Sequence, residues 1–205
     1  MKKGKEGEVN LPAIILSVFA VLTVFLGVYV YFALNGPDYT AIYIQRLSEG
    51  IIQNPISELQ LEEDASLENK SLSDIIHIEG IEEKIDLGKL EDKSINYMSV
   101  KLYLYNLHNI PLTNNNPRIQ VYLDNTPYSV EVIKGEIYIK KQEIPNPDVI
   151  IRTTMDEVAK IVDNPEYAKG SLNSGKSSVE IVADNLTLLL KGYAKIYSKI
   201  LELGE

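Results

Sequence analysis

Between Glu8 and Asp38 no side chain is charged, and Leu11 to Leu34 is almost wholly apolar. As a helix, that run of 24 residues extends about 36 Å, enough to cross a hydrocarbon core about 30 Å thick. The stretch therefore reads as one transmembrane helix, 11–34, behind a short cytoplasmic tail, 1–10. Lys2, Lys3 and Lys5 precede it, and the first basic residue after it is Arg46. That bias orients the chain with its N-terminus in the cytoplasm and everything after the span extracytoplasmic, a single-pass protein of the cell membrane. A cleaved signal peptide is the rival reading, but its apolar core is usually about 7–15 residues with a small-residue cleavage site. This run is longer and ends Tyr31-Phe32-Ala33-Leu34-Asn35-Gly36, a poor site for cleavage. Tyr29 and Tyr31 suit the interfacial end of a span.

The absence of cysteine excludes a disulfide framework, thiol catalysis and Cys-ligated zinc. It does not argue against an external location, because a domain of about 170 residues buries enough core without staples. Two glycosylation-type triplets, Asn69-Lys70-Ser71 and Asn185-Leu186-Thr187, add a weak vote for the outside. The net charge is −9, and nothing resembles a basic patch, so nucleic acid is not an expected partner. His77 and His108 are the only histidines, and both read as surface residues rather than bases. No pair has metal-ligand spacing, the acids form no calcium-loop pattern, and no nucleophile sits in an elbow. The expectation is a chain that is not an enzyme and needs neither metal nor cofactor.

Residues 35–95 read as a juxtamembrane helix followed by an acidic linker. The helix starts at Pro37-Asp38-Tyr39, carries Ile42, Ile44 and Leu47, runs to about Ile52, and can be continuous with the span. Asn54-Pro55 ends it. From Glu58 to Lys93 there are twelve acids against four lysines, which suits a solvated linker with some weak helix, or a spacer repelled by anionic headgroups.

Residues 96–205 read as a folded domain. Met98, Val100, Leu102 and Leu104 alternate with Ser99, Lys101, Tyr103 and Tyr105, which fits a half-buried strand. A helix through Val100, Leu104 and Leu107 remains the alternative. Strands then follow at Arg118–Leu123, around Tyr128–Val132, and at Ile137–Ile139. Tight turns at Asp124-Asn125 and Lys134-Gly135 imply an antiparallel meander. Val149 and Ile151 begin a fourth strand. Thr154-x-x-Glu157 fits a capping box for a helix with Val158, Ile161 and Val162 as its apolar stripe. A second short helix leads to Leu172, a fifth strand covers Ser177–Ala183, and Asp184 or Asn185 caps a final helix. The stripe of that helix is Leu186, Leu189, Leu190, Tyr193, Ile196, Tyr197 and Ile200.

Gly170 to Ser177 fits G-x-x-x-x-G-K-[ST] letter for letter. A phosphate loop needs a strand before it and a helix after it, so that backbone N–H groups meet the phosphates. Here the predicted order is inverted, and only 28 residues follow Ser177. The segment reads as a turn, and no nucleotide is expected.

The order from Arg118 to Leu201, four strands, helix, short helix, strand, long helix, resembles the sterol-carrier-protein type 2 family. Its most specific piece is Pro147-Asp148-Val149-Ile150-Ile151-Arg152-Thr153-Thr154-Met155-Asp156-Glu157-Val158-Ala159-Lys160-Ile161-Val162. Ser174-Gly175-Lys176 before a strand, then Asp184-Asn185-Leu186, resembles the family's closing strand and lid. The family's leading helix is supplied only if Asp74–Leu90 or Tyr97–Leu107 is helical. A weaker resemblance joins Leu104–Leu112 to desiccation-protectant β-sandwich domains, which the helical patterns after Thr154 do not fit. The first resemblance implies an α+β domain, a mostly antiparallel five-stranded sheet covered on one face by helices. It also implies an apolar ligand, a lipid or isoprenoid, held between sheet and C-terminal helix. The ligand-binding walls would be Val158, Ile161, Val162, Leu172, Leu186, Leu189, Leu190, Tyr193 and Tyr197. A Leu/Tyr stripe at helical spacing also suits plain core packing. The alternative is a non-catalytic interaction or scaffold domain with a membrane-protein partner in a cell-envelope complex, for which the 13 tyrosines are suited.

Overall fold

The structure, a computed structural model, describes residues 11–55, 70–77 and 86–202. Most acids of the 58–93 stretch, Glu58 to Glu68 and Glu79 to Glu83, lie outside the described residues, as do Lys2, Lys3 and Lys5. Helix α1 spans Leu11–Asn35 and is long and apolar enough to cross a membrane. It is not continuous with the next helix. The backbone leaves helical geometry at Gly36, whose φ is +50°, and α2 (Thr40–Ser48) starts after Asp38 and Tyr39.

The domain is α+β. Five strands, β1 (Arg118–Leu123), β2 (Thr126–Ile133), β3 (Glu136–Lys140), β4 (Val149–Thr153) and β5 (Ser178–Ile181), form one sheet in the order β3-β2-β1-β4-β5. The first three strands are the expected meander. Its two-residue turns place Asp124 and Asn125 at φ +48° and +69°, and Lys134 and Gly135 at +52° and +81°. That positive-φ pair matches the strands' right-handed twist.

The meander does not continue into β4. The chain crosses back and lays β4 parallel to β1, Ile119 opposite Val149. The crossover, residues 141–148, runs over the sheet face away from the core. There Gln120 accepts from the Ile144 N–H at 2.8 Å and donates to the Tyr128 carbonyl at 3.1 Å. Those bonds let a polar glutamine be 2% exposed there. β5 then pairs antiparallel with β4 and forms an edge.

Register sorts the two faces. Ile119, Val121, Tyr128, Val130, Val132, Val149 and Ile151 share the inner face, and the helices cover it. The core joins these strands to Leu72 and Ile75 of α3 (Leu72–Ile75), to Leu90, Ile95 and Met98 of α4 (Leu87–Lys101), and to Val158, Ile161 and Val162 of α5 (Met155–Asp163). So 97–107 is not a strand: α4 runs through it and ends in a 3-10 turn, Leu104–Asn106. α4 also crosses the expected linker–domain border at 95/96, and Leu72, Ile75 and Leu90 belong to the main core. The Tyr128 hydroxyl donates to Glu91, tying α4 to β2. Burial and that carboxylate push the Tyr128 phenol up to about 12.

α2 docks on the β2–β3 turn. Tyr43 donates to the Gly135 carbonyl at 2.8 Å and stacks on Tyr105 with ring centroids 4.2 Å apart. Arg46 forks onto Glu136 at 2.7 and 3.0 Å. A Cβ at Gly135 would lie 2.5 Å from the Tyr39 ring, so the turn needs glycine for space as well as for its φ.

The C-terminal end is two helices, not one. α7 (Asn185–Leu190) and α8 (Tyr193–Glu202) break at Lys191-Gly192, with Gly192 at φ +86°. Glycine at that φ ends the helix, and the residue before it, Lys191, is 0% exposed. Its ammonium meets both Asp148 carboxylate oxygens at 2.8 Å, Asn115 Oδ1 at 2.9 Å and the Asn116 carbonyl at 2.9 Å. Asp148 also accepts from the Arg118 N–H at 2.8 Å and the Tyr193 hydroxyl at 3.0 Å.

Removing one partner of a buried pair strands the other charge, at a cost of about 3–5 kcal/mol. Lys191→Met is therefore expected to lower stability by about that much in urea unfolding followed by circular dichroism. A Lys191→Met midpoint equal to wild type would mean that the pair does not hold α7 and α8 to the sheet.

Candidate functional site

The residues expected to line a ligand site fall into three environments. Val158, Ile161 and Val162 are at most 5% exposed and belong to the closed core. Leu172, Leu190 and Tyr193 are half-buried. Leu186, Leu189 and Tyr197 are 63%, 45% and 60% exposed. The structure therefore does not bring all nine onto one surface. α5 fills the interior, and the break at Gly192 carries α7 outward.

The exposed members have neighbours that the sequence stripe did not include. Val179 and Ile181 pair with Ile151 and Val149, so they point to the inner, helix-covered side of the sheet. They are nevertheless 48% and 63% exposed, because the covering helices stop short of the edge strand. Val182, 48% exposed, continues the strip toward Leu186 on α7. On α8, Tyr193 and Tyr197 are four residues apart on one helix face. Tyr193 reaches Asp148 beside β4, and burial together with that carboxylate raises its phenol well above the ordinary value. The result is an open apolar strip, β5 to α7, flanked by the α8 tyrosines.

Two polar clusters hold the strip's frame. One is the Asp148–Lys191–Tyr193 cluster, where burial pulls the Lys191 ammonium below its usual range against the opposing pull of Asp148. Asp148 further accepts, through its carbonyl, the N–H groups of Val182 and Ala183, both at 3.0 Å, and so fixes where β5 ends. The other lies under the apparent phosphate loop. Thr154 caps α5, accepting the Glu157 N–H at 3.3 Å. The Glu157 side chain turns inward and accepts from Ser171 Oγ at 2.7 Å. Ser171, Ser177 and Thr153 continue as a hydroxyl chain with 2.8 Å spacings. Burial pushes the Glu157 carboxyl up, but hydrogen bonds from Ser171, Lys160 and Tyr167 outweigh it and hold it below its usual value. Gly170 to Ser177 thus begins inside α6 (Tyr167–Asn173) and ends just before β5, and Ser177 is tied into the interior. Among the described residues no group of His, Asp and Glu is placed to hold a metal ion.

His108 is not the surface residue that its loop position suggested. It is 8% exposed, and its N–H donates to the Lys191 carbonyl at 3.2 Å. Its ring fills the gap between the end of α1 and the α7–α8 turn: a Cβ at Gly36 would overlap the ring, and one at Gly192 would lie 3.4 Å from Nε2. His77, by contrast, is exposed and pairs with Asp156 at 3.0 Å. Sequence reasoning missed Asp148, Lys191 and His108. The one available signal was a lysine placed between Leu190 and Gly192 inside an apolar stripe.

Burial, more than the nearby Lys195 charge, lowers the His108 pKa from 6.5, while the Asn109 carbonyl pulls it up. A lowered histidine pKa means that the unfolded chain takes up a proton first as pH falls. The neutral ring's contribution is full above about pH 6.5 and is lost through the window below it. The thermal midpoint is expected to drop between about pH 7.5 and pH 5, and to drop less in His108→Gln. Equal slopes in the two proteins would assign the acid sensitivity elsewhere.

No family model matches the chain, and no curated protein matches it. Among solved structures, a double mutant of the sec-alkyl sulfatase PisA1 superposes on 47% of this chain with a TM-score of 0.33 and 11% identity, and the match spans 14% of the sulfatase chain. A ubiquinone synthesis protein, UbiJ-SCP2, superposes on 56% of this chain and 99% of its own length, with a TM-score of 0.35 and 10% identity.

Proposed function

We propose that this chain is a membrane-anchored, extracytoplasmic lipid-binding module without catalytic activity, holding an apolar ligand such as a lipid or isoprenoid between the edge of its sheet and its C-terminal helices. The observation that carries the reading is the exposure of Val179 (48%) and Ile181 (63%) on the side of the sheet that helices otherwise cover. Fully burying a side chain of this size is worth about 1.5–3 kcal/mol, and each buried ligand CH₂ adds about 0.8 kcal/mol. An alkyl chain laid along β5 and α7 covers these groups without any specific polar contact. The strip supplies affinity by area, and the polar clusters beside it are already internally satisfied. α1 supports the anchored part of the reading by length and apolarity. The lysines before the span support the extracytoplasmic part.

The experiment is extraction of the full chain from its own membranes in mild detergent, followed by native mass spectrometry. Lipid retained at a fixed ratio supports the reading. Ile181→Asp is expected to cut retained lipid several-fold with little change in stability, because surface positions usually shift it by no more than about 0.5 kcal/mol. Undiminished lipid in Ile181→Asp would remove the strip as the ligand site. A stoichiometric protein partner in place of lipid would favour the scaffold alternative.

Because the chain has no cysteine, single cysteines report its sidedness cleanly. Ser198→Cys is expected to react with a membrane-impermeant maleimide in intact cells, and Lys3→Cys only after lysis. The reverse pattern would place the domain in the cytoplasm.

A further inference from the structure

We infer that the domain rests on the bilayer that holds α1, through α7 and the adjacent end of β5, so that the apolar strip opens onto lipid rather than water. The inference rests on the anchored lipid-binding reading above and specifies how the ligand reaches its site.

Three observations place that face at the membrane. First, the last turn of α1 packs against α7. Tyr29 is half-buried and Ala33 fully buried, four residues apart on one side of α1, while Tyr31, Phe32 and Leu34 are 63%, 61% and 41% exposed. The lipid-facing side of α1 and its domain-facing side thus part within one turn. α7 lies at that level, with Leu186 and Leu189 exposed one turn apart. His108, wedged between Gly36 and Gly192, holds the joint.

Second, sheet register fixes which end of the sheet is near. Tyr39, just beyond α1, lies against the Gly135 turn. Asp148, at the start of β4, binds Lys191 at the end of α7. Ile181 and Val182 stand at that same end, since Ile181 pairs with Val149. The Asp124-Asn125 turn and Asn173 mark the far end. The strip's most exposed residues are therefore its membrane-proximal ones.

Third, the joint carries cations. Lys195 is exposed and lies close enough to Asp38 and His108 to act on both, and Lys199 acts on Asp38. Two carboxylates share the joint and keep their charge: Asp38 accepts the Thr40 N–H at 2.9 Å, and Asp184 caps α7 through Thr187 at 3.0 Å. Lys195 and Lys199 lie on α8 beside the apolar α7, where lysines attract anionic headgroups.

The absence of tryptophan allows a direct test with the full chain. Leu186→Trp in the full chain is reconstituted in vesicles of phosphatidylcholine and phosphatidylglycerol carrying brominated acyl chains. Its emission is expected to be blue-shifted and quenched several-fold, while Asn173→Trp in the same vesicles remains unquenched. Adding Lys195→Glu and Lys199→Glu is expected to reduce the quenching at least twofold. Unquenched, water-like emission from Leu186→Trp would overturn the inference, and its recovery only on addition of a protein fraction would show that a protein covers α7 instead. Quenching with no lipid retained by the wild-type protein would leave membrane docking intact and refute ligand carriage, so the two failures are distinguishable.

Discussion

Asp148 is where the sheet, the C-terminal helices and the edge strand meet, and its charge is the constraint that the rest obeys. Its carboxylate takes the Lys191 ammonium, the Tyr193 hydroxyl and the Arg118 N–H, while its own backbone N–H donates to the Arg118 carbonyl at 2.7 Å. A buried ion pair contributes little net stability once desolvation is counted, but it is intolerant of being half-made. It therefore acts by position. Lys191 is pinned inside, Gly192 turns the chain after it, and Leu186 and Leu189 on α7 stay exposed. The exposed strip is thus a consequence of a specific polar cluster, and not of a poorly filled core.

Much of the architecture was legible in the chain. β1, β2 and β3 alternate with period two and are joined by Asp124-Asn125 and Lys134-Gly135, turn pairs that take positive φ. The change to helical spacing after Thr154 is as clear, and the cap is real. The order of strands and helices from Arg118 to β5 was legible from the same changes of period. What was not legible has physical causes. Alternation identifies β4 as a strand but carries no information about its neighbour, and the crossover that places it against β1 depends on Gln120 and a loop with no periodicity. α4 was ambiguous because it is buried nearly all round. Ile95, Met98 and Leu102 face the main core, Val100 faces the Tyr43–Tyr105 cluster, and Ser94 and Ser99 are buried too. A helix pressed from two sides loses its polar stripe, and four alternating apolar residues then imitate a strand.

The candidate site was half legible for a similar reason. The spacing of Leu186, Leu189, Tyr193 and Tyr197 identified an apolar stripe, yet a stripe states only that side chains share a helix face. It does not reveal whether a neighbour covers that face. Coverage is set by where the helix ends and what lies opposite, and both were decided by Lys191, a residue that a hydrophobicity pattern treats as noise. Val158, Ile161 and Val162 met their partners in the core; Leu186 and Leu189 did not. His108 was misplaced by the same logic, since a loop histidine is usually wet. Only the two glycines at the joint, Gly36 and Gly192, leave room for its ring to be buried.

The joint explains why an exposed strip is tolerable in this chain. A free domain with Val179, Ile181, Val182, Leu186 and Leu189 exposed would present a contiguous apolar patch beside an unpaired strand edge, a combination that promotes association between copies. A tether changes the competition. Packing of α1 on α7 gives the strip a fixed place relative to α1. In the proposed arrangement it always meets a lipid surface at short range, and an encounter with another copy must displace that surface first. In the same proposal, the restraint serves ligand exchange. An alkyl chain moving from bilayer to strip never passes through bulk water, so it avoids the roughly 0.8 kcal/mol per methylene that exposure would cost. The strip can then bind weakly enough to release its ligand, because the route and not the affinity keeps the exchange from stalling.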